Sequence, residues 1–445
     1  MSTKISARNR PIYERPVELL QNLIRIDTTN PPGNESGCII YINELLKEAG
    51  FDTAFFAKDK NRPNLIARLK GQGKTPPLML YGHVDVVPTA KQAWTYPPFE
   101  AKIVDGFIWG RGALDMKGGI AMMLAAVLRA KAEGLTPSGD IVLVILCDEE
   151  ADSEYGAKYL VETHSDQFAG IRYAIGEFGG YTAHVGTKKF YPIQIAEKQV
   201  CWIKATIRGP GGHGARSIRG GAMAKLSDLL YRLDKHRLPV HITPVTRQMI
   251  EIVASNLSFP KGLIFRQLLN PFLTNSILRL LGDISQYLDP LFHNTINATI
   301  VRGGEKINVI PSEITVELDG RLLPGFSSDD ILTELRQVIG EEVELELLRH
   351  DPNPAEQDMG LFNTLAGVLR KADPDGIPMP MLLPACTDAR VFSRLGIQTY
   401  GFTPMKLPVG FNYFEAIHGA DERIPVEAMD FGAKAIYELL KHYNG

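Results

Sequence analysis

Cysteine is scarce in this chain, with four in 445 residues, and the four are scattered. Cys38, Cys147, Cys201 and Cys386 show no paired spacing. That argues against a disulfide frame and a zinc ribbon and suits reduced, buried thiols. Long apolar runs are also missing. The longest, such as residues 141–147, have the length of a strand and are far too short to span a bilayer, so no membrane partner is expected. Charge of one sign is lacking as well: 48 Lys and Arg against 51 Asp and Glu give a formal net charge of -3. Neutralising a phosphate backbone needs concentrated cations, so a general nucleic-acid binder is not expected. Residues 1–16 carry Lys4, Arg8, Arg10, Glu14 and Arg15 but no hydrophobic centre of the signal-peptide kind, which makes a cytoplasmic location the expectation. Repeats, coiled-coil heptads and low-complexity tracts are absent too.

What remains is the composition of an ordinary globular protein, 44% hydrophobic and 22% charged, in a chain longer than one core usually supports. Two domains are therefore expected. Residues 16–26 and 37–49 read as amphipathic helices, the second ended by Gly50, with a Pro- and Gly-bearing loop at 28–37 between them. Segments 64–69, 78–81 and 141–147 read as buried strands, and 118–132 reads as a helix after a Gly-rich turn. Strands alternating with helices imply an α/β catalytic domain, with a mostly parallel central sheet flanked by helices. Near Lys198 the texture changes: 200–207 alternates as a strand, 221–233 reads as a helix, and 314–318 alternates again. This block reads as an inserted α+β domain. The expected division is 1–197 for the first catalytic part, 198–313 for the insertion and 314–445 for the second catalytic part. The Leu-, Phe- and Ile-rich residues 257–291 read as helices covering a cleft or a partner subunit, and 329–340 as a helix capped by Ser327 or Ser328.

Several polar residues fall where strands end. His83 and Asp85 follow a strand with one residue between them, so imidazole and carboxylate point the same way, as a metal ligand and the acceptor for its second ring nitrogen would. A surface or structural pair is the competing reading. Asp115 stands in a Gly-rich turn ahead of a helix, where it could ligate metal or simply favour the helix dipole; the glycine pattern departs from both nucleotide fingerprints. Asp148, Glu149 and Glu150 crowd the end of the 141–147 strand, where like charges call for a cation unless the turn is merely solvated. Glu177 follows the short apolar run 173–175 among glycines, and His418 stands late in the chain beside Gly419 and the acids Asp421 and Glu422. Each of these alone has a bland structural explanation. An ordered series of His, Asp, Glu, Glu and His on strand-end loops is a set of nitrogen and oxygen donors that zinc accepts.

With Gly82-His83-Val84-Asp85-Val86-Val87-Pro88, Trp94, Pro97-Pro98-Phe99, Gly110-Arg111-Gly112, Asp115-Met116-Lys117-Gly118, Asp148-Glu149-Glu150, Gly212-His213-Gly214 and Asn308-Val309-Ile310-Pro311, the chain resembles the dinuclear metallopeptidases of the M20 family over nearly its whole length. That family includes glutamate carboxypeptidase, carnosinase-like dipeptidases, acetylornithine deacetylase and succinyl-diaminopimelate desuccinylase. The resemblance implies two divalent metal ions, zinc first with cobalt or manganese as alternatives. Asp115 would bridge them, with His83 and Glu177 completing one site and Glu150 and His418 the other. Asp85 would support His83, and Glu149 would be the general base. The inserted domain would form a lid and dimerisation surface, its His213 stabilising the oxyanion, and Asn308, Arg321 and Arg390 would grip a substrate carboxylate, although a surface ion pair competes for the two arginines. The implied reaction is hydrolysis of a peptide or amide bond beside a free carboxylate, on a small peptide or an N-acyl amino acid. An exopeptidase or dipeptidase is the first reading and an N-acyl-amino-acid deacylase the second; a non-catalytic binding protein on the same fold is a third. The segment Gly176-Glu177-Phe178-Gly179-Gly180 departs from the Gly-Glu-Pro of the deacetylases and is nearer the carboxypeptidase-like branch.

Overall fold

The computed structural model describes residues 10–445, so the reading of residues 1–9 lies outside the described part. Two compact units emerge. One comprises the residues up to Ile195 with Asp358–Met381 and Thr387–Gly445; the other comprises Ala196–Gln357 with Leu382–Cys386.

The first unit is an α/β sandwich on a nine-stranded sheet. Four strands at its centre, Ile141–Leu146, Leu78–His83, Tyr173–Gly176 and Gln398–Gly401, lie side by side in that order and run parallel. Antiparallel strands flank them: Asn64–Leu69 and Asp52–Phe56 on one side, Lys188–Glu197 on the other. Both Leu78–His83 and Ile141–Leu146 are buried along their whole length, which explains why they read as continuous apolar runs instead of alternating ones. Met79, Tyr81, Val142 and Val144 point to one face, where they pack with Leu160, Phe168, Val391 and Phe392. The helix Lys117–Ala132 packs beside the strand Leu78–His83 and also touches the helices Pro16–Ile24 and Val426–His442. It is apolar nearly all round and buried on nearly every side, as a central helix must be.

The second unit is built on a four-stranded antiparallel sheet in the order Thr295–Arg302, Glu313–Leu322, Gln199–Arg208, Glu344–Asp351. Glu313–Leu322 alternates buried and half-exposed residues, and its inward side chains Ile314, Val316 and Leu318 share a core with Cys201, Ile203, Ala222, Leu229, Ile331 and Leu335. The last four of these come from the helices Ala222–Lys235 and Ser328–Ile339. Ser327 is the cap of the latter, accepting from Asp330 N while the Asp330 carboxylate accepts from Ser327 N.

Two expectations need correction. The insertion does not end at 313: Glu313–Leu322 is an interior strand of the inserted sheet, hydrogen-bonded on both sides, and the unit runs to Gln357. A strand of that kind cannot leave with the catalytic part without stripping two ladders. The 78–81 strand also runs two residues further, so His83 is its last residue. The segment 257–291 is helical, containing Lys261–Arg266, Pro271–Leu280 and Ser285–Leu288. Cys38, Cys147 and Cys201 are buried thiols outside any disulfide, and Cys386 is a half-buried thiol likewise outside one. Among the described residues no helix is long and apolar enough to cross a membrane.

Candidate active site

Parallel strands bring their carboxyl ends to one edge, and here that edge gathers the acids. His83 closes one strand, Glu149 and Glu150 follow the neighbour on one side, and Glu177 follows the neighbour on the other. Asp115 and His418 reach the same place from loops. His83 Nε2 lies 3.1 Å from Asp115 Oδ1 and 3.5 Å from Glu177 Oε2. His418 Nε2 lies 3.2 Å from Asp115 Oδ2 and 3.2 Å from Glu150 Oε1. One carboxylate thus stands between two imidazoles, each oxygen facing a different ring. Donor atoms of His83, Glu149 and Glu177 also come within 4.8 Å of one another, so Glu149 stands beside the cluster.

The backbone pays locally for this convergence. Asp148, Phe178 and His418 adopt φ of 67°, 60° and 59°, a left-handed conformation that side chains other than glycine resist. Such strain persists only where neighbours over-determine it, and they do. Asp148 is held by Arg62 at 2.8 Å, by Asn30 Nδ2 at 3.0 Å and by Tyr155 N at 3.0 Å. Arg62 in turn pairs with the fully buried Glu35. The His418 carbonyl accepts from Gln92 Nε2 and Arg111 Nη2, and Arg111 is stacked over Trp94.

Asp85 does its main work elsewhere than expected. His83 Nδ1 sits 3.0 Å from the Asp85 carbonyl, with the Asp85 carboxylate further away at 3.5 Å. The carboxylate accepts instead from Glu149 N and Glu150 N, both at 3.1 Å, and from Asn30 Nδ2 at 2.8 Å. It therefore orients the ring from its own backbone while tying down the loop that carries Glu149 and Glu150. Glu422 plays the matching part for Asp115. Fully buried, it accepts from Leu114 N, Asp115 N, Gly112 N and Arg111 Nη1. Lys117 is buried on the carbonyls of Leu23 and Ile26, which removes it as a phosphate ligand.

Arg390, read from sequence as a candidate substrate grip, is buried and donates to Asp152 Oδ1 at 3.1 Å and to the Thr387 carbonyl. Beside it the Asp388 carboxylate accepts from Ser153 Oγ at 2.5 Å, and Ser153 N donates to the Asp148 carbonyl. The segment Thr387–Arg390 therefore clamps the far end of the loop that bears Glu149 and Glu150. His213, Asn308 and Arg321 belong to the inserted unit. His213 lies in a two-strand ladder opposite Val309, Gly214 N donates to the Asn308 carbonyl, and Arg321 is paired with Asp319 and donates to Cys386 Sγ. Asn30, Arg62 and Asp388 were not picked out in the sequence, and Asp148 and Glu422 were noticed only beside candidate ligands, because buried groups whose partners lie far off in the chain have no spacing rule to announce them.

Electrostatically the site is poised for a cation. Burial raises Glu177 to about 8 although its hydrogen bond to His83 pulls it down. Burial likewise drives Glu149 well above the usual carboxylate range, with the Glu177 charge adding to the effect. The Asp115 and Glu150 carboxylates raise His418 to about 10. For Asp115 burial works upward, but bonds from His418 and His83 outweigh it and hold the carboxyl below its ordinary value. Glu177 Oε1 is buried without a hydrogen-bond partner among the described residues, an unsatisfied acceptor that a divalent ion would satisfy. The donor set of imidazoles and carboxylates fits zinc, cobalt or manganese.

Chemistry of this kind defines a hydrolase that works with bound cations. The comparison with known proteins supplies the family: residues 79–442 match the model of Peptidase family M20/M25/M40, and the chain belongs to that family. The probable carboxypeptidase S-like 2 of Dictyostelium discoideum is 28% identical over 398 residues, covering 85% of this chain and 74% of that protein. The mouse N-fatty-acyl-amino acid synthase/hydrolase PM20D1 is 25% identical over 447 residues, covering 96% and 87%. Among solved structures, the M20 family metallo-carboxypeptidase Sso-CP2 from Sulfolobus solfataricus matches with a TM-score of 0.68 at 17% identity, over 96% of this chain and 98% of that one. At that identity the likeness is one of fold.

With Glu177 at about 8 and His418 at about 10, both groups hold protons at neutral pH in the cation-free protein. Ligation requires the deprotonated forms. Zinc titrated into weakly buffered protein is therefore expected to release protons, and calorimetric affinity should rise with pH between 6 and 8; an affinity flat across that range would contradict the ligand set. For the clamp, Asp388→Asn and Ser153→Ala are each expected to lower kcat roughly ten- to a hundredfold with metal content retained. Because the two share one hydrogen bond, the double variant should lose little more than either single one, whereas additive losses would dissolve the clamp.

Proposed function

We propose that this chain hydrolyses a peptide or amide bond adjacent to a free carboxylate, as an exopeptidase or dipeptidase, through a water activated between two divalent metal ions. The observation that carries the reading is the Asp115 carboxylate, one oxygen toward His83 and the other toward His418. Asp115 would serve both metals, with His83 and Glu177 holding one and Glu150 and His418 the other. When bound, the cations supply Lewis-acid polarisation of the scissile carbonyl and lower the pKa of water.

Glu149 is the proton carrier. Its backbone is tied to Asp85, so its carboxylate is presented to the cluster without being needed to hold the loop. It takes a proton from the attacking water and returns it to the departing nitrogen, a task helped by burial and the Glu177 charge, which raise its affinity for the proton. In the inserted unit, His213 is assigned to the oxyanion and Asn308 and Arg321 to the substrate carboxylate, for which a planar guanidinium is suited. A grip by Arg390 receives no support from its bonds to Asp152 and Thr387. The inserted unit is also assigned to homodimerisation. Its edge strand Thr295–Arg302 is exposed over most of its length and offers unpaired backbone groups. The reading places the protein in the cytoplasm, with no nucleic-acid partner.

A second reading, N-acyl-amino-acid deacylation by the same machinery, is favoured by the activity for which the mouse relative is named. A panel of dipeptides and N-acyl amino acids, assayed with added zinc, manganese or cobalt, separates the two. Turnover confined to acylated substrates would replace the peptidase reading. Glu149→Gln is expected to cut kcat by at least about a hundredfold with metal content near wild type. A variant that keeps most of its activity would remove Glu149 from its role.

A further inference from the structure

The inserted unit carries a surface that the hydrolytic reading does not use. Between residues 252 and 282 there is no Asp or Glu, while Lys261, Arg266 and Arg279 are present, and none of the three is paired with an acid among the described residues. Packing decides which side chains of this stretch face outward. A Cβ at Gly262 would lie 2.3 Å from the Ala254 carbonyl, so the helix Lys261–Arg266 is pressed by its glycine against Pro244–Asn256. Thr274 Oγ1 donates to the Leu268 and Asn270 carbonyls, and Thr274 and Leu278 form the buried side of Pro271–Leu280.

The opposite sides are apolar and in water: Phe272 is 94% exposed, Phe259 86%, Leu280 72% and Leu263 57%. Phe259, Leu263 and Arg266 line one shallow cleft with Ala254 and Leu257, so a cation stands at the edge of the apolar surface. A second copy is a poor occupant. A two-fold contact through this surface would gather the cations of both copies on one interface, with no acid from residues 252–282 to neutralise them. Large apolar side chains interleaved with unpaired Lys and Arg fit an anionic lipid surface, where the rings enter the interface and the cations meet the headgroups.

We infer that the helical segment Lys261–Leu280 docks this protein on anionic membrane surfaces without crossing them. Such a segment buries only one face in the interface and needs no spanning helix. The inference does not rest on the proposed reaction. Sedimentation of the full chain with vesicles of phosphatidylcholine containing about 30% phosphatidylserine should bring down the protein, with much less bound by phosphatidylcholine alone or at high salt. The double variant Phe259→Ser, Phe272→Ser should reduce partitioning roughly tenfold or more while its circular dichroism and thermal midpoint stay those of the wild type. No binding to the anionic vesicles, equal binding to both vesicle types, or undiminished binding by the variant would overturn the inference. So would an oligomer that the same double variant dissociates, which would assign the surface to a second copy.

Discussion

Repulsion among carboxylates is the constraint around which the catalytic unit is organised. Asp85, Asp115, Glu149, Glu150 and Glu177 gather with only two imidazoles among them, mostly out of water. Unpaired, such a group would fly apart or protonate. The fold holds most of it through fixed hydrogen bonds around the cluster: Asp85 accepts from the N–H groups of Glu149 and Glu150, Glu422 accepts from those of Leu114 and Asp115, and Arg62 pairs with Asp148. The remaining excess of negative charge is what a pair of cations would neutralise. Affinity for metal and the strain of the apo cluster are two views of one imbalance.

Legibility in the sequence followed the same division. The strand segments 78–81 and 141–147 were readable because burial on both faces removes every polar residue from a run, and the donors His83, Glu149, Glu150 and Glu177 were readable because each stands at the first break in such a run. Asp115 and His418 were harder, since loops bring them in: each had an equally good structural explanation alone, and only the ordered set and the family resemblance made them ligands. Their convergence is a property of strand order: Leu78–His83 lies between Ile141–Leu146 and Tyr173–Gly176, a neighbourhood no local pattern encodes. Glu422, Asp388 and Asn30 were not singled out because their partners are backbone N–H groups or single side chains distant in sequence. The Asp85 bonds show the converse case: the residue was found for its expected partner, His83, but its carboxylate turns to another loop.

The inserted unit was read with less success because its boundaries depend on pairing. Residues 200–207 and 314–318 alternate clearly, yet alternation says nothing about which sheet a strand joins. Glu313–Leu322 pairs with Gln199–Arg208 across ten residues, a ladder far stronger than any contact a return to the first unit at that point would offer. The exit from the insertion therefore comes only after Glu344–Asp351 has added the last strand.

The clamp at Thr387–Arg390 shows why a family-like motif needs its contacts before its role. An arginine near an active site invites assignment to a substrate carboxylate, because its planar fork suits one. Arg390 instead meets Asp152, and its neighbour Asp388 meets Ser153, on the two residues that end the loop bearing Glu149 and Glu150. Burial raises Asp388 to about 6 despite the Ser153 bond, and where it is ionised its charge raises Glu149 and Glu177 in turn. Asp85 fixes the loop at its start and Asp388 at its end, and Glu149, the acid–base residue of the proposed mechanism, lies between them. A general base must hold one position relative to the attacking water while its proton comes and goes. Anchoring the loop at both ends through groups that do not themselves touch that proton lets Glu149 change charge without moving.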